Sequence, residues 1–350
     1  MQAAATAPEV TSRSARWFPW AVGLVVAAIA FAVVIELAGG IEASLDALGQ
    51  ADLSLVALGV GFEAVSFLFI ALYIRRLVGG HPPVRFGASY ELALVVYGLG
   101  AITPASPVEG VALGVAELRR TGHSRGRALF ALGYSEWFSN AALITILAVD
   151  LVLATVFEDV RHDERVPFLL LAAALLVALV TVGVLITSKR TITLLAVVWS
   201  RVCFWRPRPS EEDLRAAVER LHADRDAVIG DRRNQGRLLL LAAGAWLFDV
   251  ACLEAALLAM GVHANLDQLI LAYGAGILAA AVPFVPAGFG LTEVAMPAVL
   301  HHYGVPLAPA LAGALAYRGI GTLLPASSGA LLALGMRRRS RGYRDLPSGA

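Results

Sequence analysis

Long apolar runs alternate along this chain with short polar connections. The runs cover 18–38, 54–74, 128–156, 166–187, 237–260 and 309–335. Each matches or exceeds the ~20 residues that a helix needs to cross a ~30 Å hydrocarbon layer. Two further apolar stretches, 88–118 and 268–303, are interrupted, the first by Pro104 and Pro107, the second by Pro283 and Pro286 with Gly288 and Gly290 following. Each arm is about 15 residues, or roughly 22 Å of helix, which is too short to span. Proline removes a backbone donor and clashes with the preceding turn, so both stretches are expected to turn round and leave by the face they entered. The pattern predicts an all-α polytopic membrane protein with six full spans plus two re-entrant helical hairpins.

Charge distribution orients these elements. Of the 28 Lys and Arg residues, 25 fall in the N-terminal segment (Arg13, Arg16), the 75–87, 117–127 and 188–237 connections, and the tail from Arg337. The 39–53 and 157–165 connections hold only Arg161 and Arg165 and are rich in acids, among them Glu42, Asp46, Glu158 and Asp163. With six spans and two hairpins every basic connection lies on one face, which the positive-inside rule assigns to the cytoplasm. Treating the interrupted stretches as full spans puts basic loops outside. The expectation is therefore a multi-pass protein of the plasma (cell) membrane with both termini cytoplasmic. Its first hairpin enters from the cytoplasm and its second from outside.

That layout is the one an inverted repeat produces, with halves of about 18–158 and 166–336. YGLGAITPASPVEG in the first half stands against YGAGILAAAVPFVPAGFGLTE in the second, and ALFALGYSE against ALAGALAYR. The domain reading is a cytoplasmic N-terminus (1–17), one transmembrane domain (18–336) carrying a cytoplasmic helical insert (about 188–236), and a basic tail (337–350). In the insert, residues 191–205 read as an interfacial helix. After Pro207 and Pro209, Ser210-Glu-Glu-Asp begins a capped helix with an apolar stripe at Leu214, Val218, Leu221 and Val228 that should stop near Gly230. The stripe suits a linker lying on the membrane domain, or a docking site for a cytoplasmic protein partner.

Composition sharpens what is excluded. The chain is 58% hydrophobic and 16% charged, with a mean hydropathy of +0.71, far from a soluble domain with about 25% charged residues. A soluble enzyme, a nucleic-acid binder and a secreted disulfide scaffold are ruled out. Cys203 and Cys252 make neither a disulfide nor a metal framework. The run at 18–38 is too long for a signal-peptide core and reads as a retained first span.

Ionisable groups inside a bilayer cost about 2.5–3.5 kcal/mol each at a helix centre, and they face a cavity or a partner. Those present are Glu63, Glu109, Glu136, Asp150, Asp249, Glu254, Glu293 and the lone cation Arg318. Glu109 follows the first proline break and Glu293 the second. Arg318, in the last span, is placed to reach Glu293 or a lipid phosphate, which a guanidinium suits through bidentate bonding. The pair either stabilises the fold or contacts substrate. Glu63 and Asp249 lie mid-span and read as related positions or as hydrogen-bonding groups between helices. Glu136 and Asp150, near opposite ends of one span, are expected to reach water. His301 and His302 sit at the outer interface without a third metal ligand. No H-E-x-x-H or G-x-S-x-G pattern is present. No catalytic residue, metal or cofactor is expected.

PFVPAGFGLTE (283–293), GVPLAPALAGALAYR (304–318) and an apolar run ending in a basic tail resemble the flippase-like transmembrane domain of lysylphosphatidylglycerol synthases and their stand-alone relatives. Pro286, Gly288, Gly290, Glu293, Gly304 and Arg318 match that pattern position by position. In the first half, Pro104, Glu109 and Leu118-Arg119-Arg120 fit it loosely, while the family's asparagine and Gly-Glu pair are missing. The resemblance implies movement of lipids between leaflets. The synthases add a cytosolic aminoacyl-transfer domain after the membrane part, and the residues after 336 leave no room for one, so no enzyme activity is expected. The functional expectation is a lipid flippase or translocator with membrane lipids as partners, Arg318 on phosphate, and Glu109 and Glu293 on Arg318 or on a cationic headgroup. The alternatives are a membrane scaffold recruiting an enzyme through the 207–236 helix, and a small-solute transporter of similar build.

Overall fold

The computed structural model describes residues 48–79, 84–102, 106–157, 162–188, 211–229, 232–280 and 288–344 as continuous stretches, with scattered positions between. Every regular element among the described residues is helical. They are α1 (Leu53–Val78), α2 (Phe86–Ala93), a π-helical stretch (Leu94–Leu99), α3 (Gly100–Ile102), α4 (Ser106–Arg120), α5 (Arg125–Phe157), α6 (His162–Thr187) and α7 (Glu211–Ile229). After these come α8 (Arg232–Ala259), α9 (Leu266–Ala280), α10 (Thr292–His302), α11 (Leu307–Arg318), a second π stretch (Gly319–Leu323) and α12 (Leu324–Arg344). Five helices among the described residues are long and apolar enough to cross a membrane: Leu53–Val78, Arg125–Val156, Arg165–Leu185, Arg232–Ala259 and Leu307–Gly335. They coincide with five of the six predicted runs. Of the sixth run, 18–38, only scattered positions such as Val25, Ile29 and Val33 are described, as helical and exposed, and 195–210 of the insert, Pro104, Pro283 and Pro286 lie outside the described residues.

The antiparallel pair α1 and α8 forms the spine. Asp52 starts α1 by accepting hydrogen bonds from the Ser54 amide (2.8 Å) and hydroxyl (2.6 Å), and its own amide donates to the Ala259 carbonyl that closes α8 (3.0 Å). The Ser54 bonds stabilise the carboxylate and hold Asp52 below its ordinary pKa. Further along, Gly59 lies against Ala255, and the Phe69 ring covers Gly244 and stacks on Phe248 with centroids 5.5 Å apart. This register sets the middle of α1, Glu63, opposite the middle of α8, Asp249. α6 sits at the edge, with only 6% of its most apolar window buried, the mark of a lipid-facing helix.

Both interrupted stretches double back. In the first, Gly100 lies against Gly110, a β-carbon on Gly110 would come 2.3 Å from the Val96 carbonyl oxygen, and Gly114 touches Val96 and Leu92. Contacts that move back along α2 as they move forward along α4 define an antiparallel hairpin. Pro107 is the second residue of α4, where a missing backbone donor costs nothing. In the second, Ala280 meets Gly288 and Gly276 meets Met296, so α9 and α10 are likewise antiparallel. Gly288 (φ 63°) and Gly290 (φ 84°) make the turn in the left-handed region that a side chain disfavours.

The two halves interlock where the first hairpin crosses the last span. A β-carbon on Gly98 would sit 2.6 Å from the Pro325 carbonyl oxygen, and one on Gly329 would sit 2.2 Å from that of Leu94. Helix backbones meet this closely only across glycine. The polar helix α7 runs from Glu211 to Ile229. It rests on the start of α5, with the Ser124 hydroxyl donating to Asp224 (3.4 Å) and Val228 buried in the cluster that holds Tyr73, Leu77 and Leu132.

Candidate functional site

The sequence places a turn of glycines, a glutamate and a helix in succession, and the structure converts that order into a buried ion pair. Glu293 sits in the first turn of α10 and accepts a hydrogen bond from the Gly290 amide (2.7 Å), which fixes its carboxylate at the hairpin bend. Its other oxygen accepts from Nε of Arg318, the last residue of α11 (3.0 Å). The side chains are 10% and 4% exposed for Arg318 and Glu293. Arg318 Nη1 donates to Thr322 Oγ1 (2.8 Å) in the π stretch, and the guanidinium carbon lies 5.0 Å from the centroid of the Phe289 ring, within cation–π range. A charge buried this deeply is tolerated because it is paired and hydrogen-bonded.

A second group of polar side chains adjoins the pair through α11. Tyr317 precedes Arg318 and donates from its hydroxyl to Asp249 Oδ1 (3.0 Å), while Tyr273 of α9 donates to Asp249 Oδ2 (2.5 Å). The α1–α8 register sets the Glu63 carboxyl beside Asp249. Glu63 is 5% exposed, and its Oε2 has no hydrogen-bond partner. Glu63, Asp249, Tyr273, Tyr317, Arg318, Thr322 and Glu293 thus form one continuous polar cluster from six segments.

The first half carries a counterpart. Tyr97, in the π stretch, shares a hydrogen bond with the Ser135 hydroxyl (2.6 Å), and Tyr73 of α1 donates to the Ser135 carbonyl. Glu136 is half-buried and contacts the Tyr97 hydroxyl. Glu109 lies in the first turns of α4, and its side chain is outside the described residues. The structure therefore unites Glu63, Asp249, Glu293 and Arg318, and it puts Glu136 in a separate cluster.

One expectation of water contact is corrected. Asp150 is 8% exposed, because α6 and Leu271 of α9 close over that end of α5. Glu136 is half-buried, with Tyr97 of the first hairpin against it. Glu254 is exposed on the outside of the bundle, and the His301 ring bonds the Val305 carbonyl (2.9 Å). Among the described residues no group of three or more His, Cys, Asp or Glu side chains is arranged to hold a metal ion. An open depression of about 410 Å³ is lined by His263, Gln268, Tyr303 and neighbouring residues where α8–α9 and α10–α11 connect; it shares no residue with the buried cluster.

Tyr73, Tyr97, Ser135, Tyr273, Tyr317 and Thr322 were not singled out by sequence reasoning. One signal for two of them was present: Tyr97 and Tyr273 each open a Tyr-Gly-x-Gly run, and each supplies its hydroxyl to the cluster of its own half.

These features define a multi-pass helical membrane protein whose chemistry is concentrated in a buried ion pair beside a helical hairpin. The family described as the lysylphosphatidylglycerol synthase TM region matches residues 20–329, and the chain belongs to that family. It is also similar to UPF0104 membrane protein PH1989 of Pyrococcus horikoshii, with 22% identity over 331 residues that cover 90% of this chain and 97% of that relative.

Proposed function

We propose that the protein is a non-enzymatic translocator that moves a phospholipid between leaflets, with Arg318 receiving the headgroup phosphate. The observation that carries this reading is the guanidinium held inside the bundle by Glu293, Thr322 and the Phe289 ring. Such a group is poised to exchange one anion for another, because a phosphate can replace the carboxylate at the same fork of donors. Glu293 then remains at the bend on the Gly290 amide, where it can meet a cationic part of the headgroup, as can Glu109 on the opposing hairpin. Family membership supports a role at membrane lipids.

In this reading the 18–38 run supplies the sixth span, both hairpins re-enter the membrane in which they start, and the termini face the cytoplasm of a plasma-membrane protein. The two halves form an inverted repeat. Tyr73 and Tyr97 are related to Asp249 and Tyr273 by one offset in residue number, and Ser135 and Glu136 to Tyr317 and Arg318 by another. Rocking of one half against the other exposes the Arg318 pocket to each leaflet in turn. The decisive experiment reconstitutes the protein into vesicles with headgroup-labelled phospholipid and follows leaflet exchange. Arg318→Ala is expected to reduce exchange at least tenfold in samples with unchanged elution and helicity; equal rates overturn the assignment.

A further inference from the structure

The cluster around Arg318 contains more acid than one guanidinium neutralises. Glu63 and Asp249 meet side by side, and Glu293 holds the cation directly. Two carboxylates side by side in a low-dielectric site repel each other, and a shared proton relieves that repulsion. The groups facing this pair are Tyr90 of α2, Cys252 of α8, Tyr273 of α9, and Tyr317 and Arg318 of α11. Arg318 alone among them is a cation, and it sits one residue beyond the Tyr317 that bonds Asp249. A β-carbon on Gly321 in the adjoining π stretch would lie 3.5 Å from Asp249 Oδ1, so Asp249 touches both sides of the arginine's place in the helix. Glu63 keeps one buried oxygen with no partner.

We infer that the Glu63–Asp249 pair is a proton-binding site coupled to Arg318, and that the protein carries a proton together with an anionic phosphate headgroup. The inference rests on the headgroup reading above and adds what drives the movement. When a phosphate displaces Glu293 from Arg318, the cluster gains one negative charge, with a single guanidinium still facing all of its acids. The pair then takes up a further proton, on the partnerless oxygen of Glu63. Headgroup and proton enter together, and the loaded cluster keeps the net charge of the empty one. Linkage makes the effect reciprocal: acid pH tightens phosphate binding by the same free energy with which phosphate binding draws in the proton. No covalent step is involved.

The test measures lipid binding and proton uptake on one sample. The full-length protein in weakly buffered detergent micelles is titrated with phosphatidylglycerol, with zwitterionic phosphatidylcholine and with water-soluble glycerol 3-phosphate. Bound ligand and released or absorbed protons are recorded together. About one proton is expected to be absorbed per phosphatidylglycerol bound, and affinity to fall by about tenfold per pH unit across the range of uptake. Glu63→Gln is expected to bring the ratio of protons to bound lipid close to zero, and the infrared carbonyl band of a protonated carboxyl that appears on lipid addition should vanish with it. Uptake with glycerol 3-phosphate as well marks a site for the phosphate group itself; uptake with phosphatidylglycerol alone marks a site for the whole anionic lipid. Binding without proton uptake in the wild type overturns the proton site and leaves the headgroup reading standing. Absence of binding to any phosphate compound overturns both. Because the wild-type ratio is read first, a variant that fails to fold does not decide the outcome.

Discussion

Two clusters of tyrosine hydroxyls and acidic groups occupy the two halves of the molecule, and they differ in charge. In the first, Tyr73, Tyr97 and Ser135 surround Glu136, and no cation takes part among the described contacts. In the second, Tyr273 and Tyr317 surround Asp249, Glu63 joins from α1, and Arg318, which follows Tyr317 as Glu136 follows Ser135, is bonded to Glu293. The hydroxyl scaffolding is shared. A cluster without a cation orders helices, whereas adding a guanidinium to it creates a place for an anion. In the proposed reading, the second half holds the ligand and the first half is the frame against which it moves.

The largest effect is expected where the second cluster loses its cation. Arg318→Met leaves Glu293 buried without a cation, on the Gly290 amide alone, and should cost about 3–5 kcal/mol in unfolding experiments on the micellar protein. Arg318→Met combined with Glu293→Met removes both charges and should recover most of that loss. The double variant separates stability from transport, since it is expected to fold and still fail to exchange lipid. Next come the hairpins. Gly110→Ala drives a β-carbon into the Val96 carbonyl oxygen and should cost about 1–3 kcal/mol. Thr292, at the matching place in the second hairpin, already carries a side chain that donates to the Gly276 carbonyl (3.3 Å); Thr292→Ala should cost about 0.5–1.5 kcal/mol.

The clusters themselves can be set against each other by removing one acid from each. Asp249→Ala strands two buried tyrosine hydroxyls and should cost about 1–3 kcal/mol, while Glu136→Gln keeps an acceptor for Tyr97 and should cost about 1 kcal/mol or less. Comparable losses would erase the distinction between ligand site and frame. The smallest effect is expected at the Asp52 cap. Because the folded state holds that carboxyl below its ordinary value of 3.8, its contribution is present above that value and fades as pH falls through the lowered one. Asp52→Ala should therefore melt slightly below wild type at neutral pH, and the gap should close in strong acid.

Much of this fold is legible in the sequence because a bilayer imposes a length. Apolar runs such as 54–74 and 128–156 return as α1 and α5, and the short arms on either side of the proline breaks return as antiparallel pairs. The Glu293–Arg318 bond was visible as one of two options, since a lone cation in an apolar span needs a partner close in the chain's path. The Glu63–Asp249 contact was not readable. It depends on the register between two long helices, which is set by Gly59 against Ala255 and Phe69 against Gly244, and no local pattern encodes it. The π stretches at Leu94–Leu99 and Gly319–Leu323 were equally hidden. Their hydrogen-bond shift answers to close crossings, such as Gly98 against Pro325, that exist only after the halves have met. Asp150 misled for the same reason: its distance from the end of an apolar run says nothing about α6 lying over it.

The central claim is that Arg318 exchanges Glu293 for a lipid phosphate. Its most direct test is an experimental structure of the protein in nanodiscs made with saturating phosphatidylglycerol. The account requires headgroup density within hydrogen-bonding distance of the guanidinium and the Arg318–Glu293 bond lengthened or shared. An intact pair beside an empty pocket, with lipid ordered only around the outside of the bundle, would contradict it.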